Sequence, residues 1–148
     1  MEIIQGNKKD KPLNILLVED DDGDAKAVQR AFAKSKIAHK IFRAIDGVDA
    51  LDILKGKNNK EKISPPFLLF VDLNMPRMNG IELIKTLRAD SELHKTIIFV
   101  LTTSKRDEDK AASYDLNVSG YILKETIGPN FLNLIHLVDH YWRMVEMP

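Results

Sequence analysis

Acidic, hydroxyl and ammonium side chains follow four of the apolar runs of this chain, at the point where each run ends. They are Glu19 and Asp20 after the first run, Asp72 after the third, Thr102 after the fourth and Lys124 after the fifth. In an open parallel sheet, ligands bind outside the carboxyl ends of the strands. If the apolar runs are parallel strands, these five side chains therefore converge on one edge of the sheet.

Such a set of groups is suited to phosphoryl transfer. Carboxylates from two strands repel one another unless a cation neutralises them, and an oxygen-rich cluster suits octahedral Mg²⁺. An aspartate whose charge is offset by this metal and by a lysine can attack phosphorus and become an aspartyl phosphate. The metal, the lysine and a hydroxyl would then share the three phosphoryl oxygens. The sequence thus predicts a divalent metal and a phosphoacceptor aspartate.

Strand and helix signals alternate along the chain. The predicted strands are residues 15–18, 40–44, 67–71, 97–101 and 119–123. Each is followed by helical periodicity, marked at residues 27–32, 48–54, 81–87, 107–116 and 130–145. Because parallel neighbours need crossover connections, five strand–helix pairs without a hairpin signal predict a doubly wound α/β domain with a five-stranded parallel sheet.

Composition narrows the function classes. We expect one domain over residues 14–146 behind a polar N-terminal tail at 1–13, within a chain of 148 residues. The 22 basic and 22 acidic residues cancel, so no net field draws in nucleic acid or an anionic membrane. No cysteine is present, which excludes thiolate chemistry. The N-terminus has no apolar segment typical of a signal peptide, and the apolar runs are far shorter than the roughly 20 residues of a membrane span. We therefore expect a cytoplasmic protein.

These residues resemble the receiver domains of two-component response regulators. The matching segments are residues 15–20 with the acidic pair, residues 71–80 (Val-Asp-Leu-Asn-Met-Pro-Arg-Met-Asn-Gly), Thr102, the Gly120-Tyr121 pair and Lys124. The resemblance implies a flavodoxin-like sheet with strand order 2-1-3-4-5. It also implies a single-domain response regulator that accepts a phosphoryl group from a sensor histidine kinase and then switches a partner-binding surface.

The resemblance implies a role in phosphoryl transfer and switching for four residues. Asp72 would accept the phosphoryl group, Thr102 would hydrogen-bond that group, and Lys124 would pair with it. Tyr121 would rotate inward as Thr102 is drawn toward the phosphate. One departure is visible, because the lysine of this family is usually followed by a cis proline, whereas Glu125 follows Lys124 here.

The resemblance also implies the metal ligands. Asp20 would bind Mg²⁺ directly and Glu19 largely through water, while Asp72 and the main-chain carbonyl of Asn74 would complete the protein ligands. More narrowly, residues 17–20 and 101–104, the lysine without a proline and the long last helix are similar to stand-alone receivers that serve phytochrome-type kinases. A phytochrome-type sensor histidine kinase is therefore the expected partner.

An alternative from another class is a Mg²⁺-dependent phosphohydrolase of the haloacid dehalogenase type, with Asp20 as the nucleophile. Such enzymes resemble one another in an acidic pair after the lysine. Beyond Lys124 this chain offers only three acids, Glu125, Asp139 and Glu146. The alternative also gives Asp72 no function, so the receiver hypothesis explains more of the sequence.

The last helix carries more apolar residues than one buried face requires. One stripe comprises Phe131, Leu134, Ile135, Val138, Trp142 and Val145, and a second strip comprises Leu132, Leu137, Tyr141 and Met144. A second apolar strip is typical of an interface. We expect a homodimer, or docking of the kinase, through the surface that joins the fourth helix, the fifth strand and the last helix. The alternative is that Tyr141, Trp142 and Met144 only cap the core against the N-terminal tail.

Overall fold

The computed structural model describes residues 12–35, 37, 39–128 and 131–148. Its strands are β1 (Asn14–Val18), β2 (Lys40–Ala44), β3 (Phe67–Val71), β4 (Ile97–Thr102) and β5 (Gly120–Leu123). Its helices are α1 (Asp22–Lys34), α2 (Gly47–Lys55), α3 (Gly80–Ala89), α4 (Asp107–Asp115), α5 (Lys124–Ile127) and α6 (Leu132–Met144). Residues 1–11 of the expected tail lie outside the described residues. No helix in the described ranges is long and apolar enough to cross a bilayer.

The five strands form one parallel sheet in the order β2-β1-β3-β4-β5, which confirms the predicted fold. The register brings the carboxyl ends of the central strands level, since Val18 of β1 pairs with both Ala44 of β2 and Val71 of β3. The hydrogen bonding continues one residue further: the Asp72 N–H donates to the Val18 carbonyl at 3.0 Å, and the Glu19 N–H donates to the Ala44 carbonyl at 2.9 Å. The residues that follow β1 and β3 are thus held side by side.

Helices cover both faces of the sheet. Leu16 and Val18 of β1 pack on one face with residues of α2 and α3, and Ile15 and Leu17 pack on the other face with residues of α1 and α6. All four of these strand residues are almost fully buried. Burial on both faces explains why the strand sequences are continuous apolar runs rather than alternating ones.

Helix α3 begins directly beside the end of β3. Asn79 is its N-cap and forms a reciprocal capping box with Glu82. A Cβ on Gly80 would lie 2.4 Å from the main-chain oxygen of Asp72, so only glycine fits this approach. The segment after Asp72 is therefore closed tightly onto the start of α3.

One feature of the C-terminal part differs from the sequence prediction. The short helix α5 begins at Lys124 with no intervening loop, and four residues are too few to show a helical period. Among the described residues the cis bond is Pro65–Pro66, so the Lys124–Glu125 bond is trans, as a residue without proline favours.

The expectation that a second apolar strip of the last helix lies away from the core is wrong for two of its four members. Leu137 and Tyr141 pack against the core, and the Tyr141 ring meets the ring of Phe99 edge-on with centroids 5.3 Å apart. Leu132 and Met144 are exposed, with 47% and 82% of their surface accessible. The sheet beneath α6 is wide enough to cover more than one stripe of the helix.

Candidate functional site

Three carboxylates meet at the carboxyl ends of β1 and β3. Glu19, Asp20 and Asp72 each offer an oxygen, and these oxygens all lie within 4.8 Å of one another. Glu19 and Asp72 are 2% and 7% exposed, whereas Asp20 is open to solvent. The sequence prediction that these acids converge is confirmed. Carboxylate oxygens are hard ligands, and Asp20 leaves one side of the cluster accessible, so the cluster fits a hard divalent cation.

Lys124 contacts three carboxylates at this edge of the sheet. Its Nζ is 2.6 Å from Glu19 Oε1, 2.8 Å from Asp24 Oδ2 and 3.4 Å from Asp72 Oδ2. An ammonium has three N–H donors, so each carboxylate can receive one of them. The position of Lys124 is determined by β5, which pairs with β4, and by the immediate start of α5. The sequence prediction placed Lys124 at this edge but did not include Asp24.

The electrostatics of the cluster follow from burial and charge. Burial, with a smaller contribution from the charge of Asp72, raises the pKa of Glu19 to about 7, although Lys124 acts in the opposite direction. Burial alone would lower the pKa of Lys124, but hydrogen bonds to Asp24 and Glu19 and the charge of Asp72 raise it above its usual value. Lys124 is therefore a permanent cation, and the acids around it outnumber it.

Thr102 and Tyr121 are linked through the segment that follows β4. Thr102 is fully buried, and its Oγ1 accepts a hydrogen bond from the Ser104 N–H at 3.3 Å. The Tyr121 hydroxyl donates to the Ser104 carbonyl at 2.9 Å. Ser104 in turn donates from its own hydroxyl to Asp109 of α4 at 2.6 Å. Ser104 therefore contacts both Thr102 and Tyr121 and connects them through one residue.

The segment after Asp72 is anchored to the loop before α2. Arg77 has a left-handed backbone (φ 58°), and its guanidinium donates to both carboxylate oxygens of Asp46, at 2.6 and 3.0 Å. Asp46 is 2% exposed, and Arg77 holds its pKa below the usual range against the effect of burial. The Gly47 N–H also donates to the Met78 carbonyl at 3.1 Å. Sequence reasoning missed this anchor.

Asn74 and Arg43 complete the surroundings of the acids. Asn74 is exposed, and its N–H lies 3.5 Å from Asp72 Oδ1, at the long limit for a hydrogen bond. Arg43 of β2 donates twice to the Glu19 main-chain carbonyl, at 3.0 and 2.9 Å, and once to Asp22 at 2.7 Å. The turn that presents Glu19 and Asp20 is thus fixed from the neighbouring strand, although nothing in the sequence pattern marked Arg43.

Comparison with known proteins places this geometry in a family. The profile of the response regulator receiver domain matches residues 15–136. The chain is 30% identical over 136 residues to response regulator Rcp1 of Synechocystis sp., covering 92% of each chain. It is also 30% identical over 131 residues to the probable methanogenesis regulatory protein FilR2 of Methanothrix harundinacea, covering 88% of this chain and 84% of the relative.

Solved structures agree with the sequence matches. The Mn²⁺-bound form of Rcp1 is 31% identical with a TM-score of 0.80, and the phosphorylated cyanobacterial phytochrome response regulator RcpA is 30% identical with a TM-score of 0.82. Each comparison covers 93% of this chain and 99% of the other chain. The likeness therefore extends over nearly the whole of both relatives.

Proposed function

The chain belongs to the response regulator receiver domain family, and on that basis we propose that it is a signalling switch phosphorylated on Asp72. The observation that carries this assignment is the position of Asp72. Among the described residues, Asp72 is the aspartate that both belongs to the three-carboxylate cluster and contacts Lys124, at 3.4 Å. The phosphorylated state of the similar protein RcpA supports the same chemistry here.

We propose Mg²⁺ as the metal of this site. Glu19, Asp20 and Asp72 would hold it with the main-chain carbonyl of Asn74, and the Mn²⁺-bound form of the similar protein Rcp1 supports a divalent ion. When bound, the ion supplies positive charge that offsets both the clustered carboxylates and the phosphoryl oxygens. The exposure of Asp20 leaves this side of the cluster open to an entering ion and to the phosphodonor.

Asp72, Lys124 and Thr102 each have a separate role in phosphoryl transfer. A carboxylate oxygen of Asp72 attacks phosphorus, a new P–O bond forms, and the bond from phosphorus to the donor breaks with its electron pair leaving on the donor. When the donor is the phosphohistidine of a sensor kinase, the bond that breaks is P–N. Lys124, kept charged by its acidic neighbours, balances the phosphoryl charge, and the Thr102 hydroxyl hydrogen-bonds a phosphoryl oxygen.

The switch uses the connection through Ser104. If Thr102 turns toward a phosphoryl group on Asp72, the Ser104 N–H loses its acceptor. The Ser104 carbonyl that holds the Tyr121 hydroxyl then shifts with it, and Tyr121, which already packs against the core, changes its position. The half-buried side chain of Tyr121 lies between the core and the surface, so its movement alters the surface of β5.

We propose that the changed surface is read by a protein partner. The exposed Leu132 and Met144 of α6 support a homodimer, or docking of a phytochrome-type sensor histidine kinase, on the face of α4, β5 and α6. Equal numbers of acidic and basic residues favour a protein partner over nucleic acid or a membrane surface. We further propose residues 14–146 as the domain and the cytoplasm as its location.

The phosphohydrolase alternative would require Asp20 as the nucleophile. The carboxylates that contact Lys124 belong to Glu19, Asp24 and Asp72, and this favours Asp72. The two functions are separated by incubating the protein with a small-molecule phosphodonor and Mg²⁺ and measuring its intact mass. We expect one phosphoryl group on the wild type and none on Asp72→Asn. Full labelling of Asp72→Asn would refute the proposal.

A further inference from the structure

Asp24 is an acidic residue of the site that is neither a member of the metal-binding cluster nor the phosphoacceptor. It lies in the first turn of α1, and its Oδ2 is 2.8 Å from the Nζ of Lys124, a residue 100 positions further along the chain. The corresponding distance from Lys124 to Asp72 is 3.4 Å. Lys124 is therefore closer to Asp24 than to the residue that it is expected to assist.

Local structure directs the Asp24 side chain toward Lys124. Asp21 is the N-cap of α1, and its Oδ2 accepts the Asp24 N–H at 2.7 Å. An acid at the position of Asp24 commonly reaches back to the N–H of the N-cap residue. Here the Asp21 N–H already donates to Glu19 Oε2 at 3.2 Å. The Asp24 carboxylate is thus released from helix capping and turns to the lysine.

We propose that Asp24 is a positioning residue that holds Lys124 between α1 and Asp72 and thereby slows phosphorylation of Asp72. This inference rests on the proposed function. A phosphoryl group arriving at Asp72 needs Lys124 as a counter-charge, and Asp24 competes for the same ammonium. Asp24 lies outside the carboxylate cluster that would hold a metal. When a metal ion neutralises the charges of Glu19 and Asp72, Asp24 would remain as the anionic partner of Lys124.

The fixed charge of Asp24 acts in the same direction. The phosphodonor is an anion, and the Asp24 carboxylate lies 2.8 Å from the ammonium that must balance its phosphoryl charge. With 40% of the side chain exposed, solvent weakens the effect of this carboxylate, so removal of the charge should accelerate labelling about threefold to tenfold. The effect should shrink as KCl is added, because exposed charges are screened by salt.

The test compares Asp24→Asn with Asp22→Asn at saturating Mg²⁺ and a fixed concentration of a small-molecule phosphodonor. Asp22 lies on the same helical turn and loses the same charge, but its partner is Arg43 at 2.7 Å. We expect Asp24→Asn to label at least about threefold faster than wild type and Asp24→Glu to restore the wild-type rate. Asp22→Asn should be accelerated much less than Asp24→Asn, because the Asp22 side chain is 78% exposed and pairs with Arg43. A wild-type or slower rate for Asp24→Asn, or equal acceleration by Asp22→Asn, would overturn the inference.

A second measurement does not depend on phosphorylation. In chelator, thermal unfolding of Asp24→Asn, Lys124→Met and the double variant forms a double-mutant cycle. We expect the effects of the two substitutions to be non-additive, because each removes the same pair. Additivity would refute the role of Asp24 in holding Lys124, whereas failure of the wild type to take up a phosphoryl group would refute the proposed function itself.

Discussion

Replacing Asp20 with asparagine should stabilise the protein when no metal is present. The carboxylate oxygens of Asp20, Glu19 and Asp72 lie within 4.8 Å of one another. At that separation two unit charges repel by about 0.9 kcal/mol in water and about 3.5 kcal/mol at an effective dielectric constant of 20. Asp20 is exposed, so the lower value applies to each of its two neighbours. After partial compensation by Lys124, we expect a net gain of about 1 kcal/mol.

The assay is thermal unfolding in chelator and in saturating Mg²⁺. For a domain of this size, 1 kcal/mol corresponds to a rise in Tm of roughly 2–4 °C. Mg²⁺ at a hundredfold excess over its Kd should stabilise the wild type by about 2.7 kcal/mol, and Asp20→Asn should lose most of this gain. The order of the two melting temperatures should therefore reverse between chelator and Mg²⁺.

The matched control is Asp21→Asn, which removes the same charge one residue further along. Asp21 is the N-cap of α1, and asparagine caps a helix equally well. Asp21→Asn should keep the wild-type response to Mg²⁺ and gain less stability in chelator. An unchanged or lower melting temperature for Asp20→Asn in chelator would mean that the charge repulsion attributed to the cluster does not exist.

Three further predictions concern pH, packing and assembly. In chelator, the raised pKa of Glu19 means that the folded state binds a proton between about pH 4.5 and 7, so the free energy of unfolding should fall as pH rises through that range. Glu19→Gln should remove this pH dependence, as measured by denaturant titrations at several pH values. An unchanged slope of unfolding free energy against pH would contradict the prediction. Gly80→Ala should lower stability by about 1–3 kcal/mol and slow labelling of Asp72, because the new Cβ meets the Asp72 carbonyl. A Tm within about 1 °C of wild type would refute this close approach. If the protein dimerises through α6, Met144→Asp should reduce the sedimentation coefficient of the phosphorylated protein without lowering its Tm. A wild-type protein that sediments as a concentration-independent monomer in every condition would refute the dimer proposal. Met144 suits this test because it is exposed, whereas Leu137 of the same strip packs on the core.

The sheet and the acid cluster could be predicted because both depend on short-range patterns. Each strand is a continuous apolar run, and a parallel sheet necessarily places the residues after those runs at one edge. Glu19, Asp20 and Asp72 follow directly from this rule, since Val18 and Val71 end their strands in register. No side-chain conformation had to be known to place them together.

The contacts that sequence reasoning missed depend on side-chain direction across the fold. Asp24 meets Lys124 because the cap of α1 is completed by Glu19, and Arg77 meets Asp46 because Arg77 adopts a left-handed backbone. Neither condition is visible in spacing or periodicity. The exposure of the last helix was overestimated for a related reason, because a helical wheel does not show how far Phe99 and the sheet extend beneath Tyr141.

Mapping the phosphorylated residue decides whether Asp72 is the phosphoacceptor. The wild-type protein is incubated with a small-molecule phosphodonor and Mg²⁺, reduced with borohydride at the acyl phosphate and digested for peptide mass mapping. We expect one modified residue, Asp72, and no modification in chelator. Modification of Asp20 instead of Asp72 would refute Asp72 as the phosphoacceptor and favour the phosphohydrolase alternative.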